Sequence, residues 1–87
     1  KIAYVNHGQA LVKADAVNHP HGLYPDYGCS CEAYACELFT EAESLSEMKT
    51  IKKGETIVHA ETWTLTPDIQ IEEFSNESLD ALAEKIF

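Results

Sequence analysis

Residues Tyr24 to Tyr34 constrain the fold more than any other stretch of this chain. Tyr24-Pro25-Asp26-Tyr27-Gly28 is turn chemistry, and Cys29-Ser30-Cys31-Glu32-Ala33-Tyr34 alternates like a strand with two unlike faces. Pro25 presets its own φ, Asp26 can bond its own backbone, and Gly28 tolerates φ > 0. A period of two puts Ser30, Glu32, Tyr34 and Cys36 on one face. Cys29, Cys31, Ala33 and Ala35, small and apolar, take the other. A carboxylate in mid-strand beside a tight loop is held where a binding or catalytic group is wanted. An ordinary solvated strand face puts a Glu in the same place. The residues alone leave both readings open.

The rest of the chain is mostly strand-like. Ile2-Ala3-Tyr4-Val5 is β-rich, Asn6-His7-Gly8 interrupts it, and Gln9 to Ala14 follows, which predicts a hairpin or a strand bent at Gly8. Val17 to Gly28 reads as a loop of about a dozen residues, a length that is often functional. Leu38 to Leu45 is expected to be a strand with Phe39, Glu41, Glu43 and Leu45 on one face. Lys49-Thr50-Ile51 reads as a short edge piece and Lys52-Lys53-Gly54-Glu55 as a turn. Thr56 to Thr66 is the clearest strand pattern, rich in Thr, Ile, Val and Trp. It sets Ile57, His59, Glu61, Trp63 and Leu65 on one face. After Pro67-Asp68, Ile69-Gln70-Ile71 is expected to be a short extended piece. The tail predicts a helix capped at Ser75 or Asn76, with Leu79, Leu82, Ala83 and Ile86 as its apolar stripe. So short a helix must dock to persist.

The chain's 87 residues allow one small domain at most. A net charge of −9, from 15 acidic against 6 basic residues, argues against nucleic acid and anionic membrane surfaces. No run of about 18 apolar residues offers a membrane span. The three cysteines, Cys29, Cys31 and Cys36, leave an odd thiol under any pairing. Free, mostly buried thiols in a reducing cytoplasm are the expectation. Cys-x-Cys lacks the spacing of a zinc site. His19 and His21 flank Pro20 with no third ligand adjacent, so a solvated loop is expected there, and no metal or cofactor.

Together these elements predict an all-β, antiparallel β-sandwich segment with a short C-terminal helix. Strands fill residues 1–66 and the helix residues 75–87. A sheet this small, apolar on parts of both faces, is expected to be a single domain or the C-terminal fragment of a larger sandwich, completed by an upstream part of the same protein or by a second chain. The start at Lys1 agrees with that expectation.

The ordered series resembles the C-terminal part of the galactose-mutarotase-like superfamily, whose uncharacterised bacterial members give the nearest likeness. The residues carrying the resemblance are Ala3-Tyr4-Val5-Asn6-His7-Gly8, Tyr24-Pro25-Asp26-x-Gly28-Cys29 and Glu32-x-Tyr34. They continue with Glu41-x-Glu43-Ser44-Leu45 and Gly54-Glu55-Thr56-x-x-His59-x-Glu61-x-Trp63. The series spans about residues 3 to 65; the tail from Asp68 is outside it. The resemblance implies a large β-sandwich that binds carbohydrate in an open cleft, with aldose 1-epimerases among its members. It places the catalytic base on Glu32, which takes the proton of the sugar's anomeric hydroxyl. Asp26, Tyr34, His59 and Glu61 become the expected substrate contacts, and Glu41, Glu43 and Glu61 the carboxylates expected to lift the pKa of Glu32. The family's acid and most of its sugar contacts lie upstream of the matched part, so these 87 residues alone are expected to be inactive. A non-catalytic sugar-binding or structural module, or an acidic domain that pairs through sheet edges, is the alternative. On that alternative Tyr34 and Trp63 pack a core, His59 and Glu61 make a cross-strand polar contact, and Asp26 only forms its turn.

Overall fold

Asn6-His7-Gly8 reverses the chain because both central residues adopt left-handed backbone, His7 at φ 50° and Gly8 at φ 72°. Such a pair matches the twist of the strands it joins. Asn6 Oδ1 accepts the backbone N–H of His7 at 2.9 Å and steadies the turn. The computed structural model describes residues 1–15 and 19–87. It contains β1 (Ile2–Asn6), β2 (Gln9–Asp15), β3 (Cys31–Ala35), β4 (Thr40–Ser44), β5 (Glu61–Thr66) and α1 (Asn76–Ile86). A three-stranded antiparallel sheet runs in the order β1-β2-β5, and β3 and β4 form a separate two-stranded antiparallel ribbon. The expected hairpin at Gly8, the antiparallel β class and the terminal helix are all present.

Several expected elements are shorter than their sequence patterns. The pattern at Thr56–Thr66 is paired at Glu61–Thr66 alone, and residues 56–60 run exposed without a ladder. Glu61 sits opposite Asp15, the last described residue of β2, so the pattern outlasts its described partner. The strand at Cys29–Cys36 contracts to β3 and that at Leu38–Leu45 to β4, since the Cys36-to-Phe39 turn occupies the intervening residues. Residues 49–51 and 69–71 form no strand. Ile69 instead donates its N–H to Gly8 O at 2.9 Å, capping the hairpin end. The part of the expected loop at Val17 and Asn18 lies outside the described residues.

The first helical turn is secured by Ser75, which accepts the Ser78 N–H while Ser78 accepts the Ser75 N–H. This is a reciprocal cap with serine in the usual Glu position. At the other end, Lys1 Nζ donates to Phe87 O at 2.8 Å, fastening the helix C-terminus to the start of β1. A cation there also suits the helix dipole.

Alternation divides the three-stranded sheet. Ala10 and Val12 are buried on one face and, with Tyr24 and Ile69, make up the core among the described residues. The opposite face carries Tyr4, Leu11, Lys13, Trp63 and Leu65 across the registers Tyr4–Leu11, Leu11–Leu65 and Lys13–Trp63. Its Lys13 end is crossed by β4, where Lys13 Nζ donates to Ala42 O at 2.8 Å. Its β5 side is open: Trp63 is 64% and Leu65 62% exposed. Core packing for Trp63 is therefore corrected, because its side chain stays mostly exposed on that side of the face. Tyr34, 53% exposed, is likewise outside the core and stacks at a tilt on Phe39, ring centres 5.9 Å apart. Cys29 and Cys36 are exposed and Cys31 is half-buried, so the expectation of mostly buried thiols is also corrected; all three are free. Cys29 and Cys36 lie in turns flanking β3 rather than within a packed strand.

The accessible surface is 7012 Å², against about 5,100 Å² for a compact chain of this size. The radius of gyration is 15.6 Å, against about 12 Å for a compact domain. The surplus surface is on the order of one standard protein interface, and apolar side chains such as Trp63, Leu65, Leu38 and Phe74 are exposed.

Candidate functional site

Two polar clusters arise on opposite faces of the β3-β4 ribbon. The register Glu32–Glu43 and Tyr34–Glu41 places those four residues on one face, while Cys31–Ser44 and Ala33–Ala42 occupy the other. Asp26 joins the first cluster. It sits in the turn before β3 with left-handed backbone, φ 49°, followed by Tyr27 at φ 65° and Gly28 at φ 89°. Pro25 O accepts the N–H groups of both Gly28 and Cys29 and closes that turn.

Glu32 is half-buried, and its Oε1 is sealed from solvent with no hydrogen-bond partner. Its pKa lies above the ordinary carboxylate value. Burial is the largest cause, followed by a hydrogen bond and charge repulsion from Asp26, then repulsion from Glu43. Of the carboxylates expected to lift it, Glu43 does so, Glu41 is not among the causes, and Glu61 belongs to the second cluster instead. A carboxyl of this kind is suited to trading a proton.

The second cluster is built around Glu61. Its Oε1 accepts Ser44 Oγ–H at 2.5 Å and pairs with Lys13 Nζ at 3.0 Å, and its Oε2 accepts the Trp63 indole N–H at 2.8 Å. Ser44 Oγ also lies 2.9 Å from His59 Nε2. The Lys13 ammonium stands 5.3 Å from the Trp63 ring centre, within cation–π range. The Ser44 bond, then the Trp63 and Lys13 bonds, lower the Glu61 pKa to about 2. This carboxylate stays ionised and organises its neighbours, a fixed anion rather than a proton carrier.

Beside His59 opens a cleft of about 320 Å³, walled by residues 56–60 on one side and by His19, Ser46 and Glu47 on the other. The second wall is braced from below. Met48 N–H donates to Leu23 O at 2.7 Å, and the buried Tyr24 places its hydroxyl 3.3 Å from His19 O. Gly22 allows a close fit here: a Cβ would lie 3.0 Å from Glu47 Cγ and 3.1 Å from His19 O. Lys49 pairs with Glu47 at 3.1 Å on the rim.

The structure thus places Asp26 beside Glu32, with Tyr34 on the same ribbon face and stacked on Phe39, and links His59 to Glu61 through Ser44 on the opposite face. His59 and Glu61 meet through Ser44 across two elements, not directly along one strand. Sequence reasoning gave no role to Ser44 or Lys13. Lys13 carried a signal, as the one charge among Ala10, Leu11, Val12 and Ala14. Among the described residues no three His, Cys, Asp or Glu side chains converge as metal ligands would, and no helix is long and apolar enough to cross a membrane. Fold and site define an antiparallel β protein with one terminal helix, a carboxyl of raised pKa and an ionised one on opposite faces of a ribbon. Compared with known proteins, the chain matches no family model, no curated protein and no solved structure.

Proposed function

We propose that the chain is the carbohydrate-binding portion of a mutarotase-like β-sandwich, with Glu32 as the group that accepts the anomeric proton of an aldose. The observation that carries this reading is the raised pKa of Glu32, which has one carboxyl oxygen shielded and partnerless beside Asp26 and Glu43. A general base works best when its pKa approaches the operating pH, and these neighbours move Glu32 that way. The open apolar β5 side of the Tyr4–Trp63–Leu65 face supports a second β layer, from an upstream part of the same protein or from another chain. Three free thiols suit a reducing compartment such as the cytoplasm.

The test is anomer exchange of D-glucose and D-galactose, followed by NMR with the protein completed by its second layer. Exchange faster than in buffer, abolished by Glu32→Gln, is the expected result. Saturable sugar binding with unchanged exchange selects a non-catalytic sugar-binding module. That second reading draws on one observation: Glu32 and the cleft beside His59 occupy different faces of the ribbon.

A further inference from the structure

We infer that the cleft beside His59 is a subsite for a neutral polyhydroxyl ligand, and that Ser44 is the positioning residue that makes His59 a hydrogen-bond acceptor there. The inference rests on the carbohydrate reading for the ligand class, but its histidine geometry stands separately.

Ser44 has one proton to give. Its 2.5 Å contact is with Glu61 Oε1, an oxygen of a carboxylate whose pKa is about 2 and which carries no proton at neutral pH. That proton therefore points at Glu61, in the short range of a charge-assisted O–H···O⁻ bond. Ser44 Oγ is left with lone pairs toward His59 Nε2, 2.9 Å away. The contact is a hydrogen bond only if Nε2 carries the hydrogen. A neutral His59 is consequently the Nε2–H tautomer, and its Nδ1 is a bare acceptor. Lys13 and the Trp63 indole hold Glu61 from its remaining sides, so the relay cannot easily reverse. The arrangement also separates this cluster from a serine-nucleophile triad. There the serine O–H is directed at the imidazole, whereas here it is directed at the carboxylate.

The rest of the lining selects the ligand. Ser46 and Thr56 offer hydroxyls, Asp15 and Glu47 offer acceptor oxygens, Lys49 pairs with Glu47 at 3.1 Å, and Ile57, Val58 and Ala60 add an apolar wall. Carboxylate acceptors beside an apolar wall favour a molecule bearing several O–H donors and an apolar face over an anion. Its volume of about 320 Å³ is at the lower bound of small-ligand sites and suits one sugar ring.

Two-bond ¹H–¹⁵N correlation NMR of the free protein reads the tautomer of His59 directly. An Nε2–H ring with unprotonated Nδ1 is expected, turning to a mixture in Ser44→Ala and restored in Ser44→Thr. An Nδ1–H ring in the unsubstituted protein overturns the assignment without depending on any variant's folding. Titration with D-galactose and with glycerol is then expected to move the His59 ring signals saturably for the sugar and weakly for glycerol. Sugar that leaves those signals unmoved overturns the subsite. Glu32→Gln separates this inference from the catalytic reading: it is expected to abolish exchange while leaving the His59 response in place.

Discussion

Glu61 and Glu32 are the same residue type, both on strands and both half-buried, yet they titrate in opposite directions. Glu61 meets a hydroxyl, an indole N–H and an ammonium, and its pKa falls to about 2. Glu32 meets two further carboxylates, keeps an oxygen with no donor, and its pKa rises. Burial is the largest cause at Glu32, and its carboxylate neighbours add to it, whereas at Glu61 three donors outweigh burial. One strand end supplies a permanent charge that fastens the ribbon to the sheet. The other supplies a carboxyl that can hold a proton.

Stability as a function of pH is the sharpest way to break this contrast. Glu61 binds fewer protons folded than unfolded, so its contribution is present above the ordinary value of 4.5 and is lost as pH falls through about 2. Glu61→Gln is therefore expected to give the largest loss in denaturant midpoint at pH 7, narrowing as the pH is lowered through that window. An unchanged midpoint would mean the network fastens nothing. Glu32 has the reverse sign. It binds more protons folded than unfolded, so stability falls as pH rises from 4.5 through its raised value. Glu32→Gln is expected to remove that fall and raise the midpoint at pH 7, by less than Glu61→Gln lowers it. A drop at pH 7 would show that the ionised form is favoured after all.

A smaller effect ranks the causes at Glu32. Asp26→Asn is expected to lower its carboxyl titration midpoint, followed by ¹³C NMR, more than Glu43→Gln does. Asp26 supplies a hydrogen bond as well as charge, and Glu43 charge alone. Equal shifts would assign the effect to charge. Smallest of the four, Ser75→Ala is expected to cost about 1 kcal/mol through its lost helix cap. That loss should not vary between pH 4 and 8 (on the order of a few tenths of a kcal/mol at most), since no titrating group shares the cap. A pH-dependent loss would place the helix within one of the two electrostatic regions.

Much of the fold was legible because it depends on local chemistry. The turn at Asn6-His7-Gly8, the alternation in β3 and the Ser75 cap each follow from a few adjacent residues. The full strand at Thr56–Thr66 was not obtained, because a ladder needs a partner opposite every residue and the described part of β2 stops at Asp15. Trp63 read as core because an indole usually packs; its exposure depends on what lies above the face. The candidate site was half legible. Asp26 beside Glu32 follows from a turn running into a strand. The separation of Glu32 from His59 follows from which face of the ribbon turns toward the sheet.

By itself the sequence determined the strand periods, the turns, the helix and the acidic balance, since these are set by side-chain geometry within a few residues of one another. The tertiary structure decided which glutamate's pKa rises and which falls. That outcome depends on Ser44, Lys13 and Trp63 converging on Glu61 from three strands, and electrostatic energy is fixed by distances through space that separation along the chain does not encode.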